Sequence, residues 1–238
     1  MHSLTGSWLN RLCDPVETTL GEAVRQALEV ARCHPELVDV FLARLRVEAE
    51  PFVVDRLLEL LGAITPAERI QAVLKPFVES EDLRVRSKAS KLYAYATGDA
   101  QWAMQFLGHD DPRVTANIVE ALGGARSTPE LKDFFWAAAG SPNGRVAGNA
   151  VIGLFQIGEP GAADVLRRLC RHEAPSVRAS AAWVIGTVGW IEGMDVALEM
   201  TRDPNPKVQR DALQAVRRLQ SLAGSSGTKV LNAGGGYR

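Results

Sequence analysis

PNGRVAGNAVIGLFQIGEPGAADVLRRLCRHEAPSVRASAAWVIGTVG, residues 142–189, contains one unit written twice. In the first copy Val146, Ala150, Gly153, Leu154 and Ile157 stand at offsets 0, 4, 7, 8 and 11, which is one stripe of a helix with about 3.6 residues per turn. Val177, Ala181, Val184, Ile185 and Val188 repeat those offsets in the second copy. A small residue at offset 4 lets another helix approach closely, and Gly158 and Gly189 supply the left-handed turn that ends a helix. Between the copies, residues 162–170 form a short amphipathic return helix. The unit is therefore a helical hairpin of about 31 residues.

The same offsets decode the rest of the chain. Earlier stripes are Leu20, Val24, Ala27, Leu28, Ala31; then Val53, Leu57, Leu60, Leu61, Ile64; then Val85, Ala89, Leu92, Tyr93, Ala96; then Val114, Ile118, Ala121, Leu122. The last is Val208, Ala212, Ala215, Val216, Leu219. Return helices are predicted over residues 36–47, 66–77, 101–107 and 129–139. Stripe anchors lie 33, 32, 29, 32, 31 and 31 residues apart, too regular for chance amphipathicity. Five stripes follow one punctuation, SEDLRV, HDDPRV, SPNGRV, EAPSV and DPNPKV, in which an Asp, Ser or Asn caps the helix and a proline fixes its entry. A hairpin this small cannot bury its own apolar face, so neighbours must share one core. The predicted fold is all-α: a right-handed α-solenoid, or superhelix, of about seven stacked hairpins over residues 18–221. Residues 1–17 are read as an N-terminal capping segment in which Trp8 and Leu12 cover the open end, and 222–238 as a flexible Gly/Ser-rich tail.

Composition narrows the classes of function. The chain has 238 residues, 46% hydrophobic and 23% charged, with net charge −1, a balance that points to neither nucleic acid nor membrane. No apolar run approaches the roughly 18 residues of a spanning helix. The opening MHSLTGSWLNRLCDP reads without a basic leader or an apolar core, so a cytoplasmic protein is expected. Cys13, Cys33 and Cys170 are too few and too scattered for a disulfide framework or a four-ligand zinc site. No GxxxxGK loop is present. Cys170, His172 and Glu173 form one compact group of possible ligands, short of a complete metal site; a His near a helix C-terminus favoured by the dipole is the plainer reading. No catalytic constellation, metal or cofactor is expected.

The motifs DPRVTANIVEALG, NGRVAGNAVIGLFQIGE and APSVRASAAWVIGTVG resemble HEAT repeats, in particular the short bacterial type named after phycobilisome lyases. The resemblance spans roughly residues 18–220 and is strong from Leu83 onward. It implies antiparallel helix pairs stacked into a superhelix, with the second helix of each pair, here the stripe helix, lining the concave side. Most such proteins are scaffolds or regulatory adaptors and a few are enzymes. The HEAT-like di-iron hydroxylase uses repeated His-Glu pairs, of which this chain has one, His172 and Glu173. The HEAT-like alkylpurine DNA glycosylases need a basic channel; here Arg84, Arg86, Lys88 and Lys91 cluster on one helix and residues 201–238 carry seven basic against two acidic side chains, but the patches are discontinuous.

With the stripes facing the core, offsets 3, 6 and 10 project onto the concave side. In the middle repeats they bring together Asn117, Glu120, Asn149, Ile152, Gln156, Trp183 and Thr187. Stacked asparagines can form a structural ladder, whereas an open Trp beside an Ile offers a docking hot spot. Arg113, Arg145 and Arg178 recur near three helix starts and either brace neighbouring repeats or form a cationic edge. The expected function is a non-enzymatic protein–protein interaction scaffold or adaptor that holds a partner peptide or helix in its groove. The alternatives are a nucleic-acid-binding, alkylpurine DNA glycosylase-like protein and a bilin lyase-like cofactor handler.

Overall fold

The turn residues that punctuate the sequence start the helices. Asp82 Oδ1 accepts from the N–H groups of Arg84 and Val85 at 2.9 and 3.2 Å, and Asn143 Oδ1 does the same for Arg145 and Val146 at 3.0 and 3.2 Å. Asp111 caps Arg113, and Asn205 caps Lys207 and Val208. Each such cap contributes about 1 kcal/mol. The residue two before the cap has a second role that the sequence does not announce. Ser80, His109, Ser141, His172 and Asp203 each accept, through a side chain, the N–H of the residue at the N-cap position, which in α12 is Ala174 and makes no cap of its own, at 2.8–3.3 Å. His109 and His172 are thus turn residues that use Nδ1 as the acceptor, which fixes the ring proton on Nε2.

The computed structural model describes residues 2–232, and these form helices and turns with no strand among them. They fall into two compact units, one ending at Asp99 and the other starting at Ala100. The first holds α1 (His2–Cys13), α2 (Leu20–Cys33), α3 (Leu37–Val47), α4 (Pro51–Ile64), α5 (Ala67–Val78) and α6 (Leu83–Thr97). The second holds α7 (Ala100–Ala103), continued by a 3₁₀ turn (Met104–Phe106), then α8 (Pro112–Leu122), α9 (Pro129–Ala139), α10 (Gly144–Gln156), α11 (Ala162–Cys170) and α12 (Pro175–Val188). A 3₁₀ turn (Ile191–Gly193) leads into α13 (Met194–Met200) and α14 (Pro206–Asn232).

In each unit the stripe helices pack on one another in chain order, α2 to α4 to α6 in the first and α8 to α10 to α12 to α14 in the second. Each return helix packs more extensively on the stripe helix that follows it than on the one before, so the structural hairpins are α3–α4, α5–α6, α9–α10, α11–α12 and α13–α14. The stripe walk pairs each stripe with the return helix after it, whereas the family resemblance makes the stripe helix the second of its pair, and the packing has the latter phase. The stripe spacing alone is blind to that choice, because a return helix lies between two stripes either way. The unit boundary at Asp99 falls between hairpins in the observed phase.

Burial follows the stripes closely in the second unit. Val114, Ile118 and Leu122, then Val146, Ala150 and Leu154, then Val177, Ala181, Val184 and Ile185 are at most 2% exposed. Phe134 and Phe135 from α9 complete that core. In the first unit Leu57, Leu60 and Leu61 are fully buried with Phe41 and Leu45. The first stripe is a correction: α2 buries Ala23 and Ala27, while Leu20 and Leu28 are 40% and 36% exposed. This helix meets one stripe helix, α4, and the contact runs along its small residues. Trp8 of α1 stacks on Phe41 with ring centroids 6.2 Å apart, and Leu12 is buried.

Two further differences bear on the segments expected at the ends. Arg56, at offset 3 of its stripe and expected on the open face, is 7% exposed and donates from Nε to Leu12 O at 2.9 Å and from Nη2 to Thr18 O at 2.6 Å. It fastens the end of α1, whose carbonyls need partners, so it is drawn inward. At the other end α14 continues past Leu222 to Asn232, where the sequence reading has a flexible tail. Extending a helix already stacked on α12 costs far less than nucleating one. The remainder of that tail, residues 233–238, lies outside the described residues. No helix among the described residues is long and apolar enough to cross a membrane.

Candidate functional site

The successive packing of α8, α10, α12 and α14 leaves a groove of about 720 Å³ across their exposed edges. Small residues make its floor. A Cβ on Gly144 would stand 2.8 Å from Ser176 O, and one on Gly148 would lie 3.3 Å from Val184 Cγ2, so α10 and α12 approach more closely there than larger side chains allow. Ala179 continues this floor. Above it stand Ile152 and Trp183, at the same offset in successive repeats, with Gln156 and Thr187 one turn further along.

Trp183 is 42% exposed although the stripe residues on the other face of its helix are dry. The Thr187 hydroxyl donates to Trp183 O at 2.9 Å, which turns that hydroxyl back onto the helix. The indole N–H meets no acceptor among the described residues. The result is a large apolar plate with one donor still to be used.

Charged groups on the walls are paired. Arg145 Nη2 donates to Asn117 Oδ1 at 2.7 Å and to Glu120 Oε2 at 3.2 Å, tying α10 to α8. Lys207 Nζ reaches Asp211 Oδ2 at 2.6 Å on α14. Two cations and two carboxylates cancel, so the groove has no net charge to steer a ligand of one sign. Asn149 is 7% exposed and its Nδ2 donates to Ala116 O at 3.0 Å, a strut from α10 to α8 worth about 1 kcal/mol.

Of the residues singled out from the sequence, Glu120, Asn149, Ile152, Gln156, Trp183 and Thr187 line the groove together with Arg145. Asn117 lies just outside the lining and holds Arg145. Missed in the sequence were the glycine and alanine floor and Lys207, which shares with Arg145 the position immediately before the stripe anchor. That shared register is the signal that finds it.

The three arginines form no common cationic edge, and register explains why. Arg113 and Arg145 precede their anchors by one residue, whereas Arg178 follows its anchor, about 200° further round the helix. Arg178 Nε and Nη2 donate to Asp203 Oδ2 and Oδ1 at 2.7 and 3.0 Å, and Nη1 donates to the carbonyls of His172 and Glu173. It is a brace, with its side chain 14% exposed and that of Asp203 9%. The Arg178 hydrogen bonds hold the Asp203 carboxyl below the usual carboxylate range and raise the guanidinium further. Arg113 folds back on its own cap Asp111, Nε to Oδ1 at 3.0 Å and Nη2 to Oδ2 at 2.9 Å, and lowers that carboxyl likewise.

The other clusters are quiet. Burial pushes the Cys170 thiol up to about 12 and the Cys13 thiol to about 11, so neither is a thiolate near neutral pH. Among the described residues no three His, Cys, Asp or Glu groups converge as a metal site would need. On α6, Lys88 Nζ contacts Glu59 Oε2 at 2.6 Å and Asp55 Oδ1 at 3.2 Å, which neutralises the middle of the basic run.

Helix pairs that repeat about every 31 residues and pack on their neighbours within each unit define a helical repeat protein. Residues 100–186 match the family model for HEAT repeats. The match opens on α7 and closes inside α12, in the phase that the packing sets. No curated protein matches the sequence. Similar solved structures include the complex of CpcE and CpcF of phycocyanin lyase from Nostoc sp. PCC7120, 14% identical over 88% of this chain and 93% of that one, with a TM-score of 0.46. A designed armadillo repeat protein is 16% identical over 89% and 98%, with a TM-score of 0.30. An engineered protein is 17% identical over 90% and 96%, with a TM-score of 0.32. None of the three likenesses bears on function.

Proposed function

We propose that the protein is a non-enzymatic scaffold or adaptor that holds a peptide or helix of a partner protein in the groove of its second unit. The observation that carries this reading is Trp183, 42% exposed beside Ile152 over a floor of small residues. Burying such a plate yields binding energy with few rotors to freeze, and its free N–H offers one directional contact. The paired wall charges favour a partner segment that is apolar with a polar rim over a polyanion. A cytoplasmic setting belongs to the same reading, and three free cysteines, two of them buried, suit it.

The test is Trp183→Ala combined with Ile152→Ala. Neither side chain belongs to the dry core, so helicity and melting should be nearly unchanged while partner capture from a host extract falls by at least about 30-fold. Undiminished capture by the folded double variant would reject the groove. Tight, steeply salt-dependent binding of an oligonucleotide would favour the nucleic-acid reading instead.

A further inference from the structure

The last stripe helix differs from α4, α8, α10 and α12 at the positions where those helices receive a neighbour. Offsets 2, 5 and 9 from the anchor form the face of a stripe helix that meets the next one. A Cβ on Gly62, at offset 9, would lie 2.7 Å from Leu92 of the following stripe helix, and one on Gly186, at the same offset, 2.9 Å from Ala215 Cα. Offset 2 is Ala116, Gly148 and Ala179 in α8, α10 and α12. Offset 5 is Leu58, Val119, Val151 and Ala182, all fully buried. Asp55 and Phe155 are the larger exceptions from α4 to α12, and Phe155 turns aside onto Trp190; α2 carries Glu22, Arg25 and Glu29 at these offsets and meets α4 along Ala23 and Ala27 instead.

In α14 the same face reads Arg210, Leu213 and Arg217. All three are exposed, Leu213 by 46%. Two guanidinium stems stand where α10 and α12 use glycine or alanine for their closest approach to the next stripe helix, which gives this face a cationic rim around one leucine. Among the described residues Arg217 forms no ion pair, and Arg210 touches only Asp211, at 3.9 Å. The two arginines are seven residues apart, which places them about 10.5 Å apart along the axis with the leucine between.

We propose that this outer face of α14 is a second docking surface, and that its occupant is an acidic amphipathic helix of a partner protein. Charge complementarity selects that occupant: two carboxylates two turns apart on one helix face reach Arg210 and Arg217, while an apolar residue between them covers Leu213. The surface is independent of the Trp183 groove.

A test uses the full chain and a labelled, stapled helical peptide that carries two glutamates seven residues apart with a leucine between them, read by fluorescence anisotropy. A peptide with glutamines in those places is the control. The glutamate peptide is expected to bind, and Arg210→Glu with Arg217→Glu to weaken it about tenfold or more. Leu213→Ser, which keeps both charges, is expected to weaken it as well and decides the matter should the double reversal disturb folding. Trp183→Ala is expected to leave this binding unchanged, which separates the surface from the groove. No binding, equal binding of the glutamine peptide, or insensitivity to the α14 variants would overturn the proposal. So would a duplex oligonucleotide that displaces the peptide with steep salt dependence, because the face would then serve a polyanion.

Discussion

A single methyl group on α10 separates this packing from a loosely associated set of amphipathic helices. A Cβ on Gly153 would lie 2.5, 2.6 and 2.7 Å from three atoms of the Phe135 ring, about 1 Å inside ordinary carbon contact. Phe135 is fully buried in the α9–α10 hairpin, where a ring displaced by the added methyl must push on other core side chains. Overpacking a core in this way costs up to about 3 kcal/mol, while replacing a mid-helix Gly by Ala returns about 1 kcal/mol of helix propensity. Gly153→Ala should therefore destabilise by a net ~2 kcal/mol, a melting point lower by roughly 4–8 °C. Gly21 supplies the control, since a Cβ there meets nothing within 4 Å. Gly21→Ala should stabilise by up to about 1 kcal/mol. Urea and thermal melts followed by far-UV circular dichroism read both variants. Phe135→Leu combined with Gly153→Ala should cost less than the two changes summed, by about 1 kcal/mol. A Gly153→Ala protein that melts higher, as Gly21→Ala should, would refute the reasoning about this contact.

Other perturbations read other parts of the structure. Arg178→Ala removes a bidentate pair and two carbonyl contacts from a mostly buried turn, with an expected loss of about 2–4 kcal/mol in a chemical melt. Because Arg178 lowers the Asp203 carboxyl in the folded state, its contribution is complete above the unfolded pKa of about 3.9 and fades as pH falls through the native value; Asp203→Asn should flatten that acid loss in a pH series. A disulfide-exchange reagent should react rapidly with Cys33 alone in the native protein and with all three thiols in denaturant, and fast native reaction of Cys170 would contradict its burial.

Much of this was legible in the sequence because an α-helix turns composition into geometry at a fixed angle. Residues 129–139 and 162–170 became helices with those bounds, and offsets 3, 6 and 10 found six residues of the groove wall. What periodicity cannot encode is which neighbour a helix prefers, so the offsets leave the hairpin phase open; the family resemblance puts the stripe helix second, and the packing agrees. It also treats every stripe as flanked on both sides, which fails for α2, where Leu20 stays wet. Arg178 was grouped with Arg113 and Arg145 by nearness to a helix start, although a shift of two residues sends a side chain to another face. His109 and His172 became turn acceptors through a backbone bond that no residue spacing shows.

Trp183 and Trp190 stand seven residues apart and offer the most direct check on the open groove. Trp183 is 42% exposed and Trp190 6%, under the Arg167 guanidinium. Hydroxyl-radical footprinting of the native protein, read by mass spectrometry, should oxidise Trp183 several-fold faster than Trp190, and added partner should slow Trp183 alone. Equal protection of the two rings in the free protein would mean that the groove is closed, and the proposed binding face would fall with it.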